Sequence, residues 1–236
     1  AALGGQAPLF GRKFGYAASL SYDRAFSSYR GGVLGRYERQ GVNSPSLAPL
    51  VQLSDARSED DTLIGSLLNV AYQFSPEQQV SVNGMYNQSG NDLVRRQEGI
   101  NVSGGGISET EVFETRTLRY TERSLRSLQL TGKHLFPAWR DARLQWSLTR
   151  ASTTQDEPDT RYFSTFRTPD GAQFFEASGL PRPARYFRDL REDRDDRSID
   201  LTVPVAGPAG RATLLKAGFA WALTERGFNE RLFEYN

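Results

Sequence analysis

Cysteine is absent from this 236-residue chain, and histidine occurs once, as His134. Without cysteine there is no disulfide framework and no thiolate metal site. A single histidine leaves little material for a histidine-based metal site, and no serine lies in a pattern that suggests nucleophilic hydrolysis. We therefore expect a protein that is not an enzyme and that holds no metal and no cofactor.

Long apolar runs and an excess of one charge are missing as well. No stretch approaches the roughly 18 to 20 apolar residues of a membrane-spanning helix. Lysine and arginine total 29 against 28 aspartates and glutamates, and the two signs are mixed along the chain, which argues against a nucleic-acid surface. Hydrophobic residues make up only 38%. Either the fold is a modest soluble one, or the apolar residues face something other than each other.

The sequence does contain a period-2 alternation of apolar and polar residues. Leu128 and Leu130 share one parity, a short turn follows at 137–141, and Leu144 and Leu148 then share one parity again. Polar residues occupy the positions between them. This pattern predicts a β-hairpin with one apolar and one polar face.

The same pattern recurs along the chain and predicts eight strands in four hairpins. The expected hairpins lie at about residues 13–38, 62–87, 117–150 and 198–224. Their expected turns lie at 27–30, 75–78, 137–141 and 206–210. Long polar connections, expected as external loops, lie at about 40–61, 88–116 and 152–192. The short turns would then fall at one end of the sheet and the long loops at the other.

This asymmetry favours an all-β, antiparallel up-and-down transmembrane β-barrel over a soluble sandwich, because outer-membrane barrels have short turns on one side and long external loops on the other. Small residues at the presumed inward positions, such as Gly15, Ala17 and Ala220, suit a wide lumen better than the filled interior of an eight-stranded barrel. We expect about eight strands that form an open or partial segment of a larger barrel.

Several segments resemble the barrel of TonB-dependent outer-membrane receptors, and the resemblance extends from about Gly11 to Trp221. The segments are 14–22, 72–77, 118–125, 129–134, 146–148 and 157–159. The resemblance implies a barrel of about 22 strands, gated by an N-terminal plug, in the outer membrane of a Gram-negative cell. No segment resembles the plug or the TonB-contacting region, so the expectation is a mid-barrel fragment.

The resemblance also implies active uptake of a scarce ligand, such as a siderophore, cobalamin, a carbohydrate or a peptide. Energy would come from the TonB complex, acting through the missing plug. The expected partners are outer-membrane lipid and lipopolysaccharide, the TonB complex and a small-molecule ligand, with no nucleic acid. The alternative is a small closed outer-membrane barrel or a surface binding module with no transport role.

The connection at 152–192 carries the candidate ligand-binding residues. They are Tyr162, Phe163, Arg167, Phe174, Phe175, Arg185, Tyr186 and Phe187. Aromatic rings and guanidinium groups can stack on a captured ligand and hydrogen-bond it at a barrel mouth. The same residues can instead pack loop on loop or touch lipopolysaccharide. The acidic clusters at 156–159 and 193–196 lack the spacing of a calcium loop, and we expect ion pairs there.

Overall fold

A computed structural model describes residues 1–39, 41, 46–102, 110–176, 182–207 and 212–235. All nine strands belong to one antiparallel sheet, and these described ranges contain no α-helix. The sheet is open, because its first and last strands do not pair with each other.

The strands are long, and each lies beside the next one in the chain. Their bounds are β1 (Ala2–Leu9), β2 (Arg12–Arg39), β3 (Leu47–Ser75), β4 (Gln78–Asn101), β5 (Val112–Phe136), β6 (Ala142–Arg167), β7 (Gln173–Phe175), β8 (Ala184–Ala206) and β9 (Ala212–Glu234). The one departure from chain order is β7, which pairs only with the far end of β6, so that β6 also pairs with β8. The prediction of an all-β, antiparallel up-and-down sheet is confirmed.

Short turns join the strands at one end of the sheet, which we name the turn end. Phe10 and Gly11 connect β1 to β2 with φ of 52° and 73°, the positive values that a two-residue type I′ hairpin requires. A Pro-Glu pair at 76–77 connects β3 to β4. A single 3₁₀ turn at Pro137–Trp139 begins the connection from β5 to β6.

Two of the four expected turns, at 75–78 and 137–141, are confirmed. The expected turn at 206–210 lies mostly outside the described residues, although β8 and β9, which flank it, pair as predicted. The expected turn at 27–30 is wrong. The structure continues through it as one strand of 28 residues.

The hairpin expected at 13–38 is therefore wrong, because this segment forms a β-bulge inside one strand and not a turn. The register shifts between Tyr29 and Gly32, and Gly31 has a φ of 78°. A glycine at positive φ inside a strand bends it without reversing it. The actual hairpin partner on the turn side is β1, whose short sequence has no apolar alternation and gave no signal.

The long connections expected at 40–61, 88–116 and 152–192 are wrong in their limits, because strands occupy most of these residues. The strand extensions carry charges in place of the apolar alternation. Cross-strand pairs replace apolar packing there, as where Arg24 Nη2 lies 2.6 Å from Asp60 Oδ2. Opposite charges on directly paired strands stabilise a sheet, but they give no hydrophobic period to detect.

One face of the sheet, near the turn end, carries an exposed apolar band. Cross-strand pairing aligns one row of it, namely Phe14, Tyr72, Val80, Gly132, Trp146, Ile199 and Phe219. The next row is Tyr16, Val70, Val82, Leu130, Leu148, Arg197 and Trp221. These side chains are not covered, since Ile199 is 45% and Phe219 is 66% exposed. We name this side of the sheet the band face.

The opposite side, named the polar face, carries a hydrogen-bonded ladder at the same height. Asn83 Nδ2 donates to Gln129 Oε1 at 3.1 Å, and Gln129 Nε2 donates to Thr149 Oγ1 at 3.2 Å. One row nearer the turns, the hydroxyls of Ser81 and Thr131 are 2.7 Å apart. Each strand thus presents apolar side chains to one side and amides or hydroxyls to the other.

Most buried side chains lie on the polar face, in the half away from the turns. They include Leu53, Leu93, Phe113, Asp55, Thr115, Thr121, Thr160 and Ser164. Side chains converge on the inner side of a curved sheet, so this burial indicates that the polar face is concave. Within the described residues, all substantial contacts between strands join sheet neighbours, and no second layer covers either face.

Gly132 offers a test of packing in the apolar band. The Trp146 indole lies directly over it, and a Cβ on Gly132 would be 2.2 Å from Trp146 Nε1. We expect Gly132→Ala to displace the indole, to shift its fluorescence and to lower the free energy of unfolding by about 1–3 kcal/mol. Gly84→Ala is the matched control on the next strand and the same face, because its Cβ would meet nothing closer than 4.0 Å. Equal effects of the two substitutions would show that the indole does not pack there.

Candidate functional site

The eight predicted ligand-binding residues all lie in β6, β7 and β8, toward the end of the sheet opposite the turns. Strand alternation divides them between the two faces. Tyr162, Phe174 and Tyr186 lie on the polar face, whereas Phe163, Arg167, Phe175, Arg185 and Phe187 lie on the band face. The structure therefore does not bring them together on one surface, and their role in ligand binding stays a prediction.

Two of the polar-face members, Tyr162 and Tyr186, form a cluster with residues that were not predicted from the sequence to bind a ligand. The rings of Tyr162 and Tyr186 meet edge to face at 5.5 Å, and the guanidinium of Arg188 lies 4.4 Å from the centre of the Tyr186 ring. Arg188 also donates to Glu157 at 3.4 Å and to Glu230. One arginine thus joins β6, β8 and β9 on the concave side.

A second polar-face cluster lies across β2, β3 and β4. The carboxylate of Asp55 accepts two hydrogen bonds from Arg95, at 2.8 and 2.7 Å, and one from the Tyr29 hydroxyl, at 2.7 Å. The bonds from Arg95, followed by the bond from Tyr29, hold the pKa of Asp55 below its usual value, although burial opposes them. The alternation of residues predicts a loop at Asp55, so it gives no sign of this cluster.

Three arginines come together around this second cluster. Arg57 donates to Glu59, and this hydrogen bond is the main reason why the pKa of Glu59 is lowered. Arg119, on β5, lies in the same cross-strand row as Glu59 and adds to this lowering through its positive charge. Arg57, Arg95 and Arg119, with the carboxylates Asp55 and Glu59, form what we name the arginine cluster.

The band face carries a different arrangement at this height. Asp159 accepts hydrogen bonds from Arg185 at 2.9 and 2.8 Å and from Arg161, and together they lower the pKa of Asp159 to about 2. Arg185 and Arg231 lie 5.4 and 5.5 Å from the ring centre of Phe187. The charges and rings of these residues are paired with one another, which favours a structural role in ordering β6, β8 and β9.

The remaining predicted aromatics also stack on one another. Phe163 stacks on Tyr235 at 4.7 Å, and Phe175 stacks on the same ring at 6.0 Å. On the polar face, Phe174 stacks on Phe166 at 5.4 Å. Phe163 also lines a shallow band-face groove with Val94 and Leu118, among others. Within the chain, these aromatic residues therefore pack on one another, which is the alternative to ligand binding given in the sequence analysis.

Two carboxylates of the acidic cluster at 193–196 form ion pairs within the chain. Asp193 pairs with Arg191 and Asp196 pairs with Arg194, on opposite faces of β8, as expected for ion pairs. No group of three or more histidine, aspartate or glutamate side chains in the described residues is placed to hold a metal ion.

The single histidine, His134, lies on the band face at the border of the apolar band nearest the turn end. Trp146 Nε1 donates to His134 Nε2 at 2.9 Å. His134 Nε2 is therefore unprotonated, and Nδ1 donates to the side-chain oxygen of Gln78. These contacts give His134 a structural role in joining β4, β5 and β6.

Comparison of the chain with models of protein families, with curated proteins and with solved structures finds no match. Across the described ranges, no helix is long and apolar enough to cross a membrane.

Arg95 tests whether the arginine cluster stabilises the far half of the sheet. The Asp55 side chain is only 7% exposed, so Arg95→Gln leaves a buried carboxylate with a single strong donor. We expect a loss of about 1–3 kcal/mol in the free energy of unfolding, measured by urea titration. Arg96→Gln, the next residue on the opposite and more exposed face, should cost less than about 1 kcal/mol. A larger loss for Arg96→Gln would contradict this assignment.

The lowered pKa of Asp159 predicts that the stability of the far parts of β6 and β8 depends on pH. Its folded pKa of about 2 lies below the ordinary value of about 3.9, so its ion pairs stabilise the fold above pH 4 and are lost as the pH falls toward 2. We expect Asp159→Asn to speed hydrogen exchange in the far parts of β6 and β8 at pH 5. The difference from wild type should shrink at pH 2.5. A difference that does not depend on pH would exclude the charge as its cause.

Proposed function

We propose that this sheet is part of a transmembrane β-barrel, with the apolar band facing lipid and the polar face bordering a water-filled lumen. The observation that carries the proposal is the exposed band itself. It crosses seven strands without a covering layer in the described residues, while the opposite face is polar at the same height. A face of this size left open to water is a binding or membrane surface.

The height of the band fits a bilayer. On β9 the band face carries Leu215, Phe219 and Leu223, with small or aromatic residues between them, over about nine residues. A tilted strand crosses the hydrocarbon core in roughly 9–11 residues. The long polar extensions of β3 to β6 would then stand outside the membrane and form the wall of a vestibule.

Aromatic residues lie at the borders of the band. At the turn end, Tyr72 meets Phe74 at 4.8 Å and Phe136 meets Trp139 at 5.4 Å. At the far border, the guanidinium of Arg126 lies 5.4 Å from the centre of the Tyr86 ring. Such rings, apolar in body and polar at the tip, favour the membrane–water interface, where outer-membrane barrels carry aromatic girdles.

The open edges support a larger barrel. Neither β9 nor the far half of β2 has a strand on its outer side within the described residues. Unpaired backbone groups cost several kcal/mol each in hydrocarbon, so a membrane sheet has to continue until it closes. The small residues on the polar face, such as Gly15 and Ala220, suit the wide lumen of a barrel of about 22 strands.

Within that frame, the resemblance of the sequence to TonB-dependent receptors gives the function that we propose. The chain forms part of an outer-membrane receptor of a Gram-negative cell that takes up a scarce ligand, with energy from the TonB complex delivered through a plug. The polar-face clusters on β2 to β9 would line the vestibule. Cells that carry the whole receptor should lose uptake when the proton-motive force is collapsed, whereas uptake that persists would contradict the active mechanism.

Membrane facing is tested by one pair of substitutions. Leu130 lies in the middle of the band, between Val82 and Leu148, and Gln129 is its neighbour on the polar face. We expect Leu130→Arg to reduce insertion stability in lipid vesicles by roughly 2–4 kcal/mol, and Gln129→Arg to be tolerated. The measurement is the folded, heat-modifiable fraction. Equal damage at both positions would contradict the proposed facing.

A further inference from the structure

Three buried donor atoms in the described residues have no hydrogen-bond partner. They are Arg57 Nε, Gln97 Nε2 and Arg119 Nε. They lie on the adjacent strands β3, β4 and β5, and all point to the polar face, because each occupies the parity of Asp55 and Leu93. Buried donors without partners are rare and unfavourable, so their grouping calls for an explanation.

The chemistry of these atoms defines the missing partner. A guanidinium Nε–H and an amide NH₂ donate and do not accept. The complementary group therefore has to present acceptor atoms to neighbouring strands at once. Oxygen atoms of a carboxylate or a phosphate do this, and arginine binds both through paired N–H donors.

Both carboxylates of the arginine cluster already have arginine or tyrosine partners. Asp55 is engaged by Arg95 and Tyr29, and Glu59 is engaged by Arg57. Arg119 places its positive charge beside Glu59, and its Nε has no hydrogen-bond partner in the described part of the chain. The cluster thus holds three arginines and two carboxylates, and Asp61 lies in the next row of the same face.

The buried apolar residues around the arginine cluster strengthen the interaction of its arginines with an anion. Leu93, in the same row as Arg119, is 6% exposed, and the nearby Phe113 is 7% exposed. Charges beside buried apolar groups are less screened than charges at an open surface. The cluster also lies well beyond the apolar band, on the wall that would face an entering ligand.

We infer that the arginine cluster binds an oxyanion, a carboxylate or phosphate group carried by the ligand. Arg57 and Arg119 contact the anion directly, and Gln97 donates a further hydrogen bond. Arg95 stays with Asp55 and positions β4. The inference rests on the proposed function in one respect, since it takes the polar face to be the wall along which the ligand moves.

The experiment uses the whole barrel that contains this sheet, folded in detergent micelles, with citrate and inorganic phosphate as anionic probes and maltotriose as a neutral one. Calorimetry should detect at least one of the anions and not the sugar, with weaker binding as salt rises. Arg57→Gln and Arg119→Gln should each weaken anion binding at least tenfold. Arg123→Gln, on the same face of β5, is the matched control, because its Nε already donates to Gln155; it should change binding less than threefold.

The outcomes separate this inference from the proposed function. If the wild-type barrel inserts into vesicles but binds neither anion, the oxyanion site is wrong and the membrane proposal stands. Anion binding that Arg57→Gln and Arg119→Gln leave intact in correctly folded variants also overturns the site. If the whole barrel that contains this sheet fails to insert into vesicles, the membrane proposal fails, and the micelle titration still decides the oxyanion site.

Discussion

A sheet of a single layer cannot shield its own side chains, and this constraint governs the whole molecule. Successive residues point to opposite sides, so each strand needs a suitable medium on both faces. Near the turns, the strands present apolar side chains to one side, where Ile199 and Phe219 lie exposed, and polar ones to the other, where Asn83 and Gln129 form the ladder. A bilayer around a water-filled lumen supplies both media at the same height.

Away from the turns the same backbone geometry is stabilised in another way. There the strands carry charged and aromatic residues on both faces, and cross-strand pairs such as Arg24 with Asp60 take the place of apolar packing. Curvature crowds the polar face, which buries Asp55 and Thr160 and collects arginines around them. The arginine cluster therefore arises from the same alternation that produces the apolar band, but in the half of the sheet away from the turns.

The sequence predicted the part of the fold that carries a hydrophobic period. The pairing of β3 with β4, of β5 with β6 and of β8 with β9 followed from the alternation of residues such as Leu130 and Leu148. The prediction failed where other forces act. A positive φ at Gly31 makes a bulge in a segment that has turn composition, and β1 pairs through its backbone with little side-chain signal.

The candidate site was less accessible to sequence reasoning. The aromatic residues at 162–187 were expected to face one ligand, but the alternation of strand positions divides them between two faces. Arg188 and Arg119 were missed because their neighbours are brought together only by register across strands far apart in the chain. A bulge between Glu157 and Thr160 changes which parity faces inward, and no local pattern marks it.

The central claim, that the apolar band contacts lipid, is tested most directly by spin labelling. This sheet has no native cysteine, so a single cysteine at Leu128, Gln129, Leu130 or Thr131 can carry its one label when the whole barrel is in vesicles. The account predicts that labels at 128 and 130 collide with oxygen dissolved in lipid, and that labels at 129 and 131 collide with a water-soluble nickel complex. Labels at 128 and 130 that are immobile, or that meet the nickel complex, would contradict it.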